Sequence, residues 1–257
     1  MINHPLFDLS GKTAIVTGGA RGLGLQMAIA LAEAGANIMI CSRNAEKNNE
    51  ALDELRHKGI DAYSMKCDIT NPEECDNVVS KTLEQWGCID ILINNSGASW
   101  GAPAADMPLE AWNKVMNVNA TGTFLMSQAA GKVMIKQQSG KIINISSVAG
   151  LIGTNPDVMD TIGYSASKGA ILSLTRDLAV KWGREGINVN AIAPGFFPTK
   201  MSNVLIERSH DALLAGTPLN RFGNDEDLKG AVIFLASKAS DYVTGTCLTV
   251  DGGISIM

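Results

Sequence analysis

The chain has few of the residues that build metal centres or disulfide frameworks. Its three histidines, His4, His57 and His210, are scattered, and none stands in a spaced ligand pattern with cysteine or acidic residues. The five cysteines, Cys41, Cys67, Cys75, Cys88 and Cys247, are odd in number, far apart and without a C-x-x-C pair. That pattern argues against a disulfide scaffold and against structural zinc, so reduced, mostly structural thiols and no catalytic metal are expected. Positive charge is also short: 21 Lys and Arg against 26 Asp and Glu leave a net charge of −5, with no electrostatic reason to bind nucleic acid or an anionic membrane. No apolar run approaches the length of a bilayer span, and the first thirty residues lack a basic segment followed by a continuous apolar one. Fixed-period repeats and low-complexity tracts are absent, which disfavours solenoids and propellers. These absences predict a cytoplasmic protein whose partner is a small molecule.

What is present is an alternation. At 257 residues, with 46% apolar and 18% charged residues, the chain suits one α/β domain spanning residues 1–257. Short β-branched runs at 12–17, 37–41, 62–67, 89–94, 141–146, 187–192 and 247–250 read as strands buried on both faces. Helical patterns lie between them: one closed by Gly35, a polar one ending near Gly59, and one from Asn71-Pro72 to Trp86-Gly87. Others run over 109–136, with a register change around 117–122, then from Tyr164, and over 202–214 and 225–237. Seven strands alternating with helices predict right-handed crossovers and a doubly wound parallel seven-stranded sheet with helices on both faces. In such a Rossmann arrangement ligands bind beyond the carboxyl ends of the strands, at the switch point.

Between the first strand and the first helix stand Gly18, Gly22 and Gly24, with Arg21 and Leu23 among them. Glycines there let the backbone turn tightly and approach a pyrophosphate, whose charge meets exposed amides at the helix N-terminus. The spacing is G-x-x-x-G-x-G, neither the G-x-G-x-x-G of most dinucleotide folds nor a Walker loop. A turn needed for helix-strand packing alone is the plainer reading. At the end of the second strand, Cys41-Ser42-Arg43-Asn44 lacks the carboxylate that suits an NAD ribose. Arg43 and Arg21 could instead share a 2′-phosphate, predicting preference for NADP(H), with NAD(H) possible; solvent-facing arginines are the simpler alternative. Further on, Tyr164 and Lys168 are four residues apart on an apolar-periodic segment, which puts phenol and ammonium on one helix face. The spacing also arises by chance.

Thr17-Gly18-x-x-x-Gly22-x-Gly24, Asn94-Asn95-Ser96-Gly97, Asn119, Ser147, Tyr164-x-x-x-Lys168, Pro194-Gly195 and Asp251-Gly252-Gly253 occur in one order along nearly the whole chain. Together they resemble the short-chain dehydrogenase/reductase family. The resemblance implies a one-domain Rossmann fold, a nicotinamide cofactor, and reversible hydride transfer between an alcohol and a ketone or aldehyde. It also implies roles. Tyr164 is the general acid in reduction and general base in oxidation; a free phenol, with pKa ~10, is a poor base near neutrality, so Lys168 and the oxidised nicotinamide must favour phenolate. Lys168 also holds the nicotinamide ribose. Ser147 bonds the substrate oxygen, with Ser146 as the alternative, and Asn119 holds a proton-relay water.

For the cofactor the resemblance adds Asp68 near the adenine, Asn95 and Gly97 lining the ribose side, Ile192 behind the nicotinamide and Thr199 towards its carboxamide. Ser42, Ile69, Pro194 and Gly195 join them as cofactor-binding residues. A structural role for Asn94 and Asn95, pinning adjacent strands, stays open.

Two departures stand out: Ser96 replaces the usual alanine, and seventeen residues separate Ser147 from Tyr164, more than the family's usual spacing. The surplus, 153–161, is expected in a loop over the substrate. Residues 196–214 correspond to a mobile substrate lid that excludes water. Trp100, Phe196, Phe197 and Met201 could line the pocket or pack into the core, and Lys200 or Arg208 could hold a carboxylate. Leu6-Phe7-Asp8-Leu9-Ser10-Gly11 and Asp227-Leu228-Lys229-Gly230 look like the gluconate 5-dehydrogenase branch, with 3-oxoacyl-thioester reductases as competitor. A non-catalytic NADP(H) sensor or scaffold is the alternative outside enzymes, and the resemblance implies a homotetramer.

Overall fold

The first strand, β1 (Thr13–Thr17), is buried along its whole length, as its short run of mostly β-branched residues predicts. In the computed structural model, which describes residues 4–200 and 202–257, β1 pairs in parallel with β2 (Asn37–Ser42) on one side and β4 (Ile91–Asn94) on the other. The remaining strands are β3 (Ala62–Lys66), β5 (Gly140–Ile145), β6 (Ile187–Pro194) and β7 (Cys247–Val250). The order is β3-β2-β1-β4-β5-β6-β7, all parallel, as the alternation predicts. The reversal of strand order falls between β1 and β4, where a crevice opens at the carboxyl ends.

Helices α1 (Gly22–Glu33), α2 (Ala45–His57) and α8 (Lys229–Ala236) cover one face. On the other lie α3 (Pro72–Trp86), α5 (Gly122–Gln137) and α6 (Ile162–Trp182). Adjacent strand residues feed opposite cores: Ala14 and Val16 pack under α1 and α8, while Ile15 packs under α3 and α5. Each such fully buried aliphatic side chain contributes about 2 kcal/mol over exposure, so Ile15→Ala would cost about 3 kcal/mol by leaving a cavity. Helix starts follow local chemistry: Asn44 accepts from the Lys47 amide at α2, and Asn71 caps Glu73 and Glu74 with Pro72 in the first turn of α3. Gly87 ends α3 in the left-handed region, at φ 77°.

Several boundaries move relative to the sequence pattern, β6 running on to Pro194 and α6 starting at Ile162, and two of the shifts have a visible cause. Helix α8 starts at Lys229, not 225, because Asp227 is tied back by Arg221 and by the Asn224 amide in a tight turn. The strand expected from Ile89 begins at Ile91, since the side chain of Gln137 takes both the N–H and the C=O of Ile89. The register change expected at 117–122 is a π-helical turn, Asn117–Thr121, joining α4 (Leu109–Met116) to α5. The Gly122 N–H reaches back five residues to the Asn117 carbonyl. Among the described residues no helix is long and apolar enough to cross a membrane.

Candidate active site

The loops after β1 and β4 are laced together across the crevice. Thr17 Oγ1 accepts from the amides of Asn95 and Ser96, both at 3.0 Å. Asn95 Nδ2 donates back to the carbonyls of Thr17 at 3.1 Å and Gly18 at 3.3 Å. Gly24 sits where a Cβ would run into the Gly18 carbonyl and the Asn95 amide, so the loop closes only with glycine there. Gly18 and Gly22 adopt φ of +64° and +52°, and a Cβ on Gly22 would lie 3.7 Å from Thr199 Cγ2, which brings Thr199 alongside the loop. Arg21 occupies the N-cap of α1 but makes no side-chain bond to its first turn, unlike Asn44 and Asn71 on α2 and α3. The amides of Gly22, Leu23 and Gly24 are thus offered to an anion, and the residues fit a dinucleotide pyrophosphate.

Beside the loop, Ser42 Oγ donates to Asn48 Oδ1 at 2.6 Å, and Arg43 is exposed with no ion pair among the described residues. Burial pushes the Asp68 carboxyl up, but bonds from the Thr70 amide (3.0 Å) and hydroxyl (2.8 Å), with the Arg43 charge, outweigh it and leave the group below the usual carboxylate range. Ile69 packs against Gly122 at the start of α5. On the far side of the crevice Ile192 is buried in β6, Pro194 ends that strand, and the Gly195 amide bonds the Val250 carbonyl.

Tyr164 lies in the first turn of α6, which starts two residues before it, and Lys168 one turn on; the Lys168 Nζ lies 5.5 Å from the phenol ring centre. Lys168 is 4% exposed, its Nζ donates to the Ile145 carbonyl at 2.7 Å, and burial lowers its pKa to about 8. Burial pushes the Tyr164 phenol up, while the Ser147 hydroxyl beside it draws it down less strongly. Ser146 turns the other way and donates to the Lys168 carbonyl at 2.9 Å. The two serines are therefore distinguished by direction: Ser147 faces the phenol, and Ser146 braces the helix backbone.

Asn119, fully buried in the π turn, accepts from the Ala98 amide at 2.7 Å and donates to the Ala98 carbonyl at 2.9 Å and Ser167 Oγ at 2.8 Å. Both amide hydrogens are thus spent within the protein. Ser167 in turn donates to the Tyr164 carbonyl at 2.7 Å. Sequence reasoning missed Ser167 and Ala98; the signal for Ser167 is its place three residues after Tyr164, and Ala98 has no signal, since its backbone alone takes part. Gly97 belongs to the same cluster, since a Cβ there would lie 3.4 Å from Asn119 Oδ1 and 3.8 Å from Lys168 Nζ.

Of the residues expected around the substrate, Phe197 is core, 5% exposed and packed against Gly223. Trp100 is 46% exposed, Phe196 half-buried, and Met201 lies outside the described residues. Asn94 serves structure, its Nδ2 bonding Ser127 and Asn144. Among the described residues no group of three or more His, Cys, Asp or Glu is placed to hold a metal ion.

Residues 18–255 match the family profile described as Enoyl-(Acyl carrier protein) reductase. The 5-keto-D-gluconate 5-reductase of Escherichia coli (strain K12) is 41% identical, covering 98% of this chain and 99% of that protein. Gluconate 5-dehydrogenase of Gluconobacter oxydans (strain 621H) is 39% identical, with 99% of each covered. Among solved structures, a gluconate 5-dehydrogenase from Burkholderia cenocepacia J2315 in complex with NADP and tartrate superposes with TM-score 0.93 at 38% identity over 98% of each chain. The chain belongs to the short-chain dehydrogenase/reductase family, and is an NAD(P)-dependent oxidoreductase acting on CH–OH groups.

Proposed function

We propose that this enzyme uses NADP(H) to interconvert a secondary alcohol and a ketone on gluconate, 5-ketogluconate or a related polyol or keto-sugar. The observation that carries the reading is the cluster of Tyr164, Lys168 and Ser147 at the mouth of the crevice whose glycine loop fits a pyrophosphate. The names of the gluconate-acting relatives support the substrate class.

The bound nicotinamide supplies the hydride acceptor or donor and, when oxidised, a positive charge. Tyr164 Oη exchanges the proton with the substrate oxygen, and the Ser147 hydroxyl fixes that oxygen by a second hydrogen bond. Lys168, when charged, favours phenolate at Tyr164 and reaches the ribose side next to Gly97. Asn119 acts as a positioning residue through Ala98 and Ser167. The amides of Gly22, Leu23 and Gly24 hold the pyrophosphate, with Gly18, Asn95 and Thr199 shaping its bed and Pro194 and Gly195 the nicotinamide end. Ser42, Asp68 and Ile69 border the adenosine, and Arg21 with Arg43 takes the 2′-phosphate. Residues 196–214 act as the substrate lid of a single domain over 1–257.

The five free thiols suit the reducing cytoplasm. We place the enzyme there as a homotetramer, supported by exposed Leu109 and Phe124 on α4 and α5 and Val180 on α6.

Following NADPH oxidation with 5-ketogluconate, other keto-sugars and acetoacetyl thioesters tests the reading. Turnover of the keto-sugars is expected. Preference for the thioester would move the enzyme to the acyl class named in the family description. A higher kcat/KM with NADH, unaltered in ratio by Arg43→Asp, would refute the cofactor assignment.

A further inference from the structure

The seventeen-residue step before Tyr164 is filled by a segment that folds on itself and is tied to two others. The Asn155 carbonyl accepts from the amides of Val158 (3.0 Å) and Met159 (2.8 Å), and its side chain accepts from the Asp157 amide (3.0 Å). Thr154 Oγ1 donates to the Met159 carbonyl at 2.9 Å, and Met159 is buried. On one side the Ala102 amide donates to the Asp160 carbonyl at 3.0 Å, and Ala102 forms a parallel bridge with Thr161. On the other, Arg208 on α7 (Asn203–Ala215) donates from Nη2 to the Val158 carbonyl at 3.0 Å.

Arg208 is exposed and pairs with no carboxylate among the described residues. Immediately after it the helix breaks: Ser209 has φ −124° and ψ 27°. Beyond the break α7 is held elsewhere, by an edge-on contact of the His210 and Phe222 rings at 5.3 Å. Helix α7 thus has two halves with different moorings. The first half, which begins beside Thr199 and the glycine loop, is moored through Arg208 to the loop that leads into Tyr164.

We propose that Arg208 is a positioning residue that sets substrate affinity: by holding the Val158 carbonyl it joins the first half of α7 to loop 153–161 across the substrate side of Tyr164. This deepens the function proposed above and rests on it for the identity of the substrate, but not for the mooring itself. The guanidinium is spent on the protein's own backbone, so it shapes the site rather than clamping a substrate carboxylate. A charge-assisted bond to a carbonyl at an exposed position corresponds to about a fivefold change in the equilibrium it biases.

The test compares wild type with Arg208→Ala, Arg208→Lys and Asn155→Ala, the last of which weakens the turn that presents Val158. Hydrogen exchange followed by mass spectrometry needs no substrate. In Arg208→Ala the peptide covering 155–161 should exchange about fivefold faster, while 210–215 is unchanged. With 5-ketogluconate as the ketone, KM should rise about fivefold with kcat within twofold and NADPH affinity unaltered; Arg208→Lys, which keeps the charge and a donor, should recover most of the loss. Asn155→Ala should reproduce the effect, and the double variant should be no worse than either single one. Unchanged exchange over 155–161 overturns the mooring whatever the substrate is. Faster exchange with unchanged KM overturns its role in affinity, and additive effects of Arg208→Ala and Asn155→Ala overturn the coupling.

Discussion

Tyr164 and Lys168 are pulled in opposite directions by the same cause. Burial disfavours the charged form of each, so it raises the phenol and lowers the ammonium, and by themselves the two side chains keep the proton on Tyr164. The phenolate needed for alcohol oxidation must be favoured by positive charge gathered at the site, with Ser147 adding a hydrogen bond. Tyr164→Phe removes the proton carrier but little volume, and should lower kcat by at least about a thousandfold with NADPH affinity within about twofold, read by steady-state kinetics and fluorescence titration. Lys168 gives a stability prediction as well. Its pKa falls from 10.5 in an unfolded chain to about 8 in the fold, so the unfolded chain holds the extra proton between those values. Stability conferred by this site therefore rises with pH across that window: the cost of burying the ammonium, about 3 kcal/mol, is full below pH 8 and gone above 10.5. In urea denaturation without cofactor, the stability of Lys168→Met relative to wild type should be greatest near pH 7 and decline steadily from pH 8 to 10.

At the scale of elements, the site is made by how strand ends and helix starts meet. The glycine loop tolerates change unequally. A methyl at Gly24 meets the Gly18 carbonyl and the Asn95 amide, which cannot move without breaking the lacing of β1 to β4. A methyl at Gly22 finds room and suffers the left-handed backbone alone, about 1 kcal/mol. Gly24→Ala should therefore abolish measurable NADPH binding and lower Tm by more than 5 °C, whereas Gly22→Ala should bind with less than tenfold loss; equal effects in calorimetry would contradict this. The π turn is the other such device. Its wider turn sets Asn119 to reach Ala98 on one side and Ser167 on the other, and Asn119→Ala would leave the part-buried amide and carbonyl of Ala98 without their partner and take one of the two bonds from Ser167. A loss of about 2–4 kcal/mol in denaturant titrations is expected.

The whole molecule is a sheet with two cores, and part of its remaining apolar surface lies on the helices that flank it. Leu109 is 72% and Val180 82% exposed, and both would be covered in the proposed tetramer. Sedimentation should give four chain masses for wild type, and Leu109→Glu with Val180→Glu should shift the population to smaller species; an unchanged monomer for both proteins would refute the tetramer. Much of this architecture was legible beforehand, because β-branched runs and glycine-bounded helical patterns are local signals. The starts of β4 and α8 were misread for a common reason: Gln137 and Arg221 hold Ile89 and Asp227 through side chains whose reach no local pattern encodes. Phe197 could not be assigned between pocket and core, since only its meeting with Gly223 decides the matter.

The sequence by itself determined the parallel sheet, the glycine loop at its switch point, and the pairing of Tyr164 with Lys168, because each depends on spacing within one strand, turn or helix. Tertiary structure alone decided which serine faces the phenol, that Asn119 spends its amide on Ala98 and Ser167, and that Arg208 moors α7 to the loop before Tyr164. The physical reason is the same in each case. A hydrogen bond between distant segments is directional, and its direction is set by where the packed sheet and helices place two backbones.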